Sequence, residues 1–319
     1  MSKGGIADLT VGQRIPARDF NVTRPDVVRY AGASGDFNPL HFDDDAARAA
    51  GMPGAFAHGM FSAGCLATAV TDVAGIEPLT RLTVRFRAQA RVGTTLTSDI
   101  AVIGARRDGE RVLVDLDCRL IDEDAAVVVS GAATLATPSV PQDADEADMP
   151  PAPSSSELIG RRLASAVVTV ERGPAQVFAA AVGDDKPVYR SADAAAAFGL
   201  DGIPVPPTYL FAVQNWGTFD DQQPPAAAGD ASLVELIALL RNGCKGVILH
   251  GEQDFTYYTP VRVGDVLHVD GYVERVEQKS TSDGRPGMTV MVVRTDYRDA
   301  SARLLTTARS TYLFRPATR

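Results

Sequence analysis

Hydrophobic and polar positions change their period along this chain. Apolar and polar residues alternate plainly in VRFRAQARV (Val84 to Val92) and VLVDLDCRL (Val112 to Leu120), the period of a strand with one buried face. The pattern predicts strands at roughly 81–90, 94–106, 110–122 and 126–137. Before them, the stretch from Gly59 to Gly75 is apolar or small on nearly every face, as in a helix enclosed by the interior. Further upstream a short helix is expected around Val27 to Gly32. An irregular Gly/Asp/Asn/Pro segment follows from Ser34 to His41, then a helix capped by Asp43 and stopped by Gly51.

The same order of elements recurs in the second half. Val27 to Phe61 aligns almost without gaps on Ala175 to Phe211, so that Gly35-Asp36 falls on Gly183-Asp184, Pro39 on Pro187 and Gly51 on Gly199. Gly12 falls on Gly160, and Arg91-Val92-Gly93 on Arg262-Val263-Gly264, after an insertion from about Phe219 to Lys245. Agreement in order across two halves marks an internal repeat. Between the copies, Pro138 to Ser156 is rich in Pro, small and acidic residues and reads as a linker. The expected organisation is a catalytic domain at 1–137, a linker at 138–156 and a degenerate domain at 157–319. Strands do not alternate with helices after Gly75, which disfavours parallel winding. A buried helix followed by antiparallel strands describes an α+β double hot-dog fold, two antiparallel sheets each wrapped around a central helix.

Composition narrows the partners. The net charge of −9 argues against a general nucleic-acid binder, though it leaves room for local basic patches, and gives no reason to expect attraction to an anionic membrane. Cys65, Cys118 and Cys244 lack metal-ligand spacing and are expected as buried thiols in a reducing compartment. The first residues lack a signal-like apolar run, and no stretch is long enough to span a bilayer, so a cytoplasmic protein is expected.

Polar groups concentrate in ASGDFNPLH (Ala33 to His41), where the Asn38-Pro39 kink can turn Asp36 and His41 toward one point. A second polar element, Ala57-His58-Gly59-Met60, opens the buried helix. Backbone N–H groups at a helix start lack partners and carry partial positive charge, so they can hold a developing oxyanion. Glycine at 59 lets a ligand approach that backbone. Adding water across an α,β-unsaturated thioester requires a positioned water, acid–base groups and a donor for the enolate oxygen. Asp36, His41 and the Gly59 N–H supply these without metal or organic cofactor.

ASGDFNPLHFDDDAARAAG followed by AHGM resembles the (R)-specific enoyl-CoA hydratase and MaoC-like dehydratase family, whose motif runs S-G-D-x-N-P-x-H and then A/V-H-G. The resemblance implies that Asp36 and His41 hold the water, that Asn38 supports the loop, and that the Gly59 N–H binds the thioester oxygen. It also implies syn addition to a 3R-hydroxyacyl thioester. Asn38, His58, Met60 and Gly64 are the candidate substrate-contacting positions; Gly64 stands where some members carry serine. The second half resembles the non-catalytic FAS1-like dehydratase region through LHGEQDFTYYTPVRVGD (Leu249 to Asp265). At the positions of His41, Asn38 and His58-Gly59 it has Tyr189, Lys186 and Pro206-Pro207. Proline has no N–H to donate, so the second copy is expected to be inert.

Plainer roles are expected elsewhere. His58 props the loop, His250 is structural and His268 exposed, while Asp43, Asp44 and Asp45 form an acidic helix start. Arg81, Arg85, Arg87 and Arg91 form the solvated face of a strand, with contacts to CoA phosphates or an acyl carrier protein as the alternative. The expected partner is an acyl-CoA or acyl carrier protein thioester, with no nucleic acid or membrane partner, and a homodimer is expected. Rival readings are a branched dicarboxylic (mesaconyl-type) acyl-CoA hydratase, a hot-dog thioesterase, and a non-catalytic acyl-thioester binder.

Overall fold

The computed structural model describes residues 6–137, 158–225, 227, 229–241, 246–279 and 287–316. The expected linker and Cys244 lie outside these. The chain forms two compact units. The first comprises Met1–Pro141, Thr169–Gly217 and Thr259–Asp265, and the second Gln142–Val168, Thr218–Tyr258 and Val266–Arg319. The helical part of the second sequence copy therefore belongs to the first unit.

In the first unit, strand β1 (Asp19–Asn21) precedes α1 (Arg24–Ser34). Thr23 and Asp26 form a reciprocal capping box at the start of α1, and Gly35 ends it in the left-handed region at φ 76°. A 3₁₀ turn at Pro39–His41 leads to α2 (Asp44–Ala49), where the Asp43 carboxylate accepts from the Asp45 and Ala46 N–H groups. The central helix α3 (Gly59–Ala74) is buried from Met60 through Thr71. Strands β2 (Leu79–Phe86), β3 (Thr95–Asp108), β4 (Arg111–Ile121) and β5 (Val127–Thr137) follow, close to the predicted spans. Their order in the sheet is β1-β3-β4-β5-β2. Every pairing described among them is antiparallel. Alternation buries Leu96, Ile100 and Val102 of β3 and Val114, Leu116, Cys118 and Leu120 of β4, and α3 packs on β2 to β5.

Helices of the second copy complete this unit. They are α4 (Arg172–Ala181), which packs on α1; α5 (Ala192–Ala196); a 3₁₀ turn at Pro207–Phe211, which packs on α3; and α6 (Gln214–Gly217). The counterpart of α3 is thus interrupted, where the sequence led us to expect a second continuous helix. Pro206 and Pro207 fix its start without N–H groups, and the segment resumes as an α-helix at Gln214 after Phe211.

The second unit orders its strands β7-β10-β9-β8-β6: β6 (Ala166–Thr169), β7 (Gly246–Tyr257), β8 (Val266–Lys279), β9 (Met288–Arg298) and β10 (Leu304–Pro316). Helix α7 (Leu233–Arg241), inside the insertion, buries Leu236 and Leu240 with Val273, Met291, Val293, Tyr312 and Phe314. The repeat is written in the backbone as well. Gly35 and Gly183 have φ 76° and 71°, and Gly51 and Gly199 have φ 83° and 81°. Cys65 and Cys118 are buried free thiols, and no described helix is long and apolar enough to cross a membrane.

Gly64 marks the tightest approach to α3 from the second copy. A Cβ there would lie 2.4 Å from Val182 Cγ1 and 3.3 Å from Thr208 Oγ1. Alanine is the better helix former by about 1 kcal/mol, yet overpacking costs about 1–3 kcal/mol. Gly64→Ala is therefore expected to lower the urea midpoint, and adding Val182→Ala to recover part of the loss in a double-mutant cycle.

Candidate active site

The loop between α1 and α2 is a succession of side-chain turns. The Asp36 N–H donates to Ser34 Oγ at 3.3 Å, the Asn38 N–H to Asp36 Oδ1 at 3.2 Å and the Leu40 N–H to Asn38 Oδ1 at 3.2 Å. Asp and Asn favour such turns because their short side chains reach backbone groups two residues on. Pro39 then starts the 3₁₀ turn that ends at His41.

Two imidazoles meet this loop. The His41 Nδ1 lies 2.8 Å from the Phe56 carbonyl oxygen. A carbonyl only accepts, so Nδ1 carries the proton and the neutral ring presents the Nε2 lone pair. The same logic assigns His58, whose Nε2 donates to the Asp36 carbonyl at 2.9 Å. The two rings lie 3.8 Å apart between centroids and are tilted by 33°. Burial lowers the His41 pKa, against smaller upward pulls from the Phe56 carbonyl and Asp36. Burial first, and His41 second, push His58 down to about 4. Both rings are neutral at pH 7.

Potential ligand atoms of Asp36, His41 and His58 all lie within 4.8 Å of one another. Asp36 is exposed, whereas His58 is 2% exposed, so the cluster runs from the surface inward. A divalent cation could be held by the same three groups, since each imidazole gives its other nitrogen to a carbonyl. His58 is also the N-cap of α3, where no side chain caps the terminus. The Gly59 N–H is thus among the donors a helix leaves unsatisfied, with partial positive charge behind it. A Cβ at Gly59 would meet the Phe86 ring at 3.1 Å.

Of the predicted residues, Asp36, His41 and His58 come together, and Gly59 adjoins them in the chain. Asn38 holds the loop, and Met60 is buried in the first turn of α3. Gly64 packs against Val182 and Thr208, about 7.5 Å further along the helix axis. Arg81, Arg85, Arg87 and Arg91 are exposed around buried Leu82 and Val84. Asp44 pairs with Arg24 at 2.7 Å and accepts from the Ala55 N–H, which holds its carboxyl below the usual range. His268 is exposed.

Two participants escaped sequence reasoning. The Phe56 carbonyl left no side-chain signal. Tyr30 lies in the i, i+3, i+4 pattern of Val27, Tyr30 and Ala31 that α1 buries. Its ring packs 5.0 Å from His58, and its hydroxyl, like His58 Nδ1, is buried without a hydrogen-bond partner among the described residues.

The second copy keeps the turns of the loop and engages its aspartate differently. The Lys186 N–H donates to Asp184 Oδ1 at 3.3 Å, as Asn38 does to Asp36. Tyr189, at the His41 position, donates its hydroxyl to Asp184 Oδ2 at 2.8 Å. Lys186 Nζ lies 3.1 Å from Asp184 Oδ1 and 2.6 Å from Asp72 Oδ1 of α3. Asp184 is 3% exposed and already spoken for on both oxygens.

The fold is a double hot-dog. The MaoC like domain matches residues 8–123, and the FAS1-like, dehydratase domain region matches residues 157–307. The chain belongs to the MaoC-like dehydratase family. A UPF0336 protein of Streptomyces griseus subsp. griseus is 31% identical over 148 residues, covering 46% of this chain and 85% of its own. An (R)-specific enoyl-CoA hydratase of Rhodospirillum rubrum is 29% identical over 120 residues, 37% of this chain and 81% of its own. A conserved hypothetical protein of Mycobacterium tuberculosis with a double hot-dog fold superposes with a TM-score of 0.63 at 16% identity, over 98% of both chains. That last likeness speaks for the fold alone.

Because folded His58 titrates near 4 and an unperturbed imidazole at 6.5, the unfolded chain binds more protons between these values. The stability contributed by neutral His58 is complete above 6.5 and lost as pH falls toward 4. Thermal melts are expected to show a falling midpoint across this window. His58→Gln, which keeps a donor for the Asp36 carbonyl, should make the fall shallower.

Proposed function

We propose that this protein catalyses (R)-specific hydration of trans-2-enoyl thioesters to 3R-hydroxyacyl thioesters, or the reverse dehydration. The observation that carries the reading is the hydrogen bond from His41 Nδ1 to the Phe56 carbonyl, which leaves the Nε2 lone pair beside the Asp36 carboxylate. A water held between these two groups would donate one hydrogen to Asp36 and the other to His41 Nε2.

As the water oxygen bonds to C3, Nε2 takes its proton and the C2=C3 electron pair moves through C1 to the thioester oxygen. The resulting enolate oxygen faces the Gly59 N–H, where the partial positive charge of α3 stabilises it. His41 then returns the proton to C2, the carbonyl re-forms and the ring is neutral again. Atoms balance: one water enters, its hydroxyl goes to C3 and its hydrogen to C2. Delivery of both from one side of the substrate is syn addition. The Asp36 carboxylate offsets the charge of the transient imidazolium. Family membership and the likeness to the Rhodospirillum rubrum hydratase support the same reading.

Lys186 bears on the choice of substrate. Its ammonium is engaged by Asp72 and Asp184, so it is not available for a second carboxylate, and a simple acyl thioester is the better fit.

The test is to incubate the purified protein with a panel of trans-2-enoyl-CoAs, following loss of the conjugated double bond and the configuration at C3. Release of free thiol without hydration would assign a thioesterase instead. Asp36→Asn and His41→Ala should each lower kcat by about 10²–10⁴-fold with the fold retained. Since His41 must be neutral to act, and burial lowers its pKa, the acid limb of kcat/KM should have its midpoint below 6.5.

A further inference from the structure

The loop bearing Asp36 is gripped by residues of the second copy. Trp216 Nε1 donates to the Ala33 carbonyl at 2.8 Å, and Asn215 Nδ2 donates to the Ser34 carbonyl at 2.6 Å. These are among the last carbonyls of α1, which a helix leaves without internal partners. Contact is closest at the next residue: a Cβ on Gly35 would lie 2.9 Å from Asn215 Cβ. With His58 Nε2 on the Asp36 carbonyl, side-chain donors hold the carbonyls of residues 33, 34 and 36. Both Asn215 and Trp216 belong to α6, the fragment formed where the second central helix is interrupted.

We infer that Asn215 and Trp216 are positioning residues for Asp36, so that the interrupted helix of the degenerate copy is a working part of the first copy's site. The chain turns sharply between Ser34 and Asp36 through the left-handed Gly35. The carboxylate direction therefore follows from where the end of α1 is pinned. His58 fixes one side of that turn, and Asn215 with Trp216 fix the other. Neither of these two residues reaches the reacting atoms; they act through the backbone.

This inference rests on the hydratase reading, and two measurements separate the two. Trp216→Phe removes the indole N–H while keeping a ring, and Asn215→Leu removes the amide while keeping the branched shape. Each should lower kcat about 10–100-fold, the scale of a displaced catalytic group. KM should stay within about threefold, because uniform binding is left intact. In an Asp36→Asn background the same substitutions should have little further effect on the residual rate, since their action passes through the carboxylate. Hydrogen–deuterium exchange should also quicken in the peptide spanning residues 33–41 and stay unchanged in α3.

Undiminished kcat per folded molecule in both variants overturns the inference. So does an equal loss of rate with and without Asp36, which would mark a purely structural contact. If the wild-type protein hydrates no enoyl-CoA, the functional reading fails and exchange alone decides: unchanged rates at 33–41 refute the positioning role, and faster rates uphold it.

Discussion

The burial of α3 is the constraint on which the rest of this structure depends. Its residues from Met60 to Thr71 are enclosed, and a single sheet can cover only one side of a helix. The sheet takes that side through β2 to β5, and the turn at Pro207–Phe211 together with Val182 takes the other. Small residues make this enclosure possible, Gly64 most of all. Enclosing a helix also fixes where its ends emerge. The amino end of α3 emerges at His58 and Gly59, beside the loop that bears Asp36 and His41, so packing brings the partial charge of the helix start next to that carboxylate and imidazole.

Burial at that end has an electrostatic consequence. Two imidazoles stacked at 3.8 Å would repel if both were protonated, and desolvation already disfavours either cation. Each is tied by one N–H to a main-chain carbonyl, which fixes the tautomer. The pair divides its labour by depth. His41 keeps its lone pair beside the exposed Asp36, while His58, 2% exposed, spends its N–H on the Asp36 peptide. The same residue type thus serves two structural settings, separated by which ring nitrogen each has free.

Much of this was legible before any coordinates. The four strands of the first copy fall within a few residues of the alternating segments, because a one-sided sheet must alternate to bury one face. Asp43 and Gly51 marked helix boundaries through local chemistry that needs no tertiary context. Asp36 and His41 were legible as candidates because they share one short loop, and His58 because it stands at the start of a helix whose apolar pattern was plain. The interruption of the second central helix was only half legible. Pro206-Pro207 announced an altered start, but nothing in Gln214-Asn215-Trp216 announced side chains reaching the end of α1. Such contacts join residues about 180 positions apart, and one sequence carries no signal for them. The Phe56 carbonyl is invisible for a simpler reason: every residue has one.

The two copies together separate what the fold requires from what the chemistry requires. Both retain the positive-φ glycine, the aspartate that accepts from the N–H two residues on, and the proline that opens a 3₁₀ turn. These features are therefore architectural. The differences include the candidate site positions: His41 against Tyr189, Asn38 against Lys186, and His58-Gly59 against Pro206-Pro207. Tyrosine and lysine in the second loop saturate its aspartate, forming an ion network anchored on Asp72 of α3. A buried carboxylate without those partners would carry a large desolvation cost, so losing the histidine demanded a replacement that neutralises the site. The first loop carries no such replacement. Its carboxylate is exposed and has no ion-pair partner among the described residues, a state the fold tolerates because the group opens to solvent.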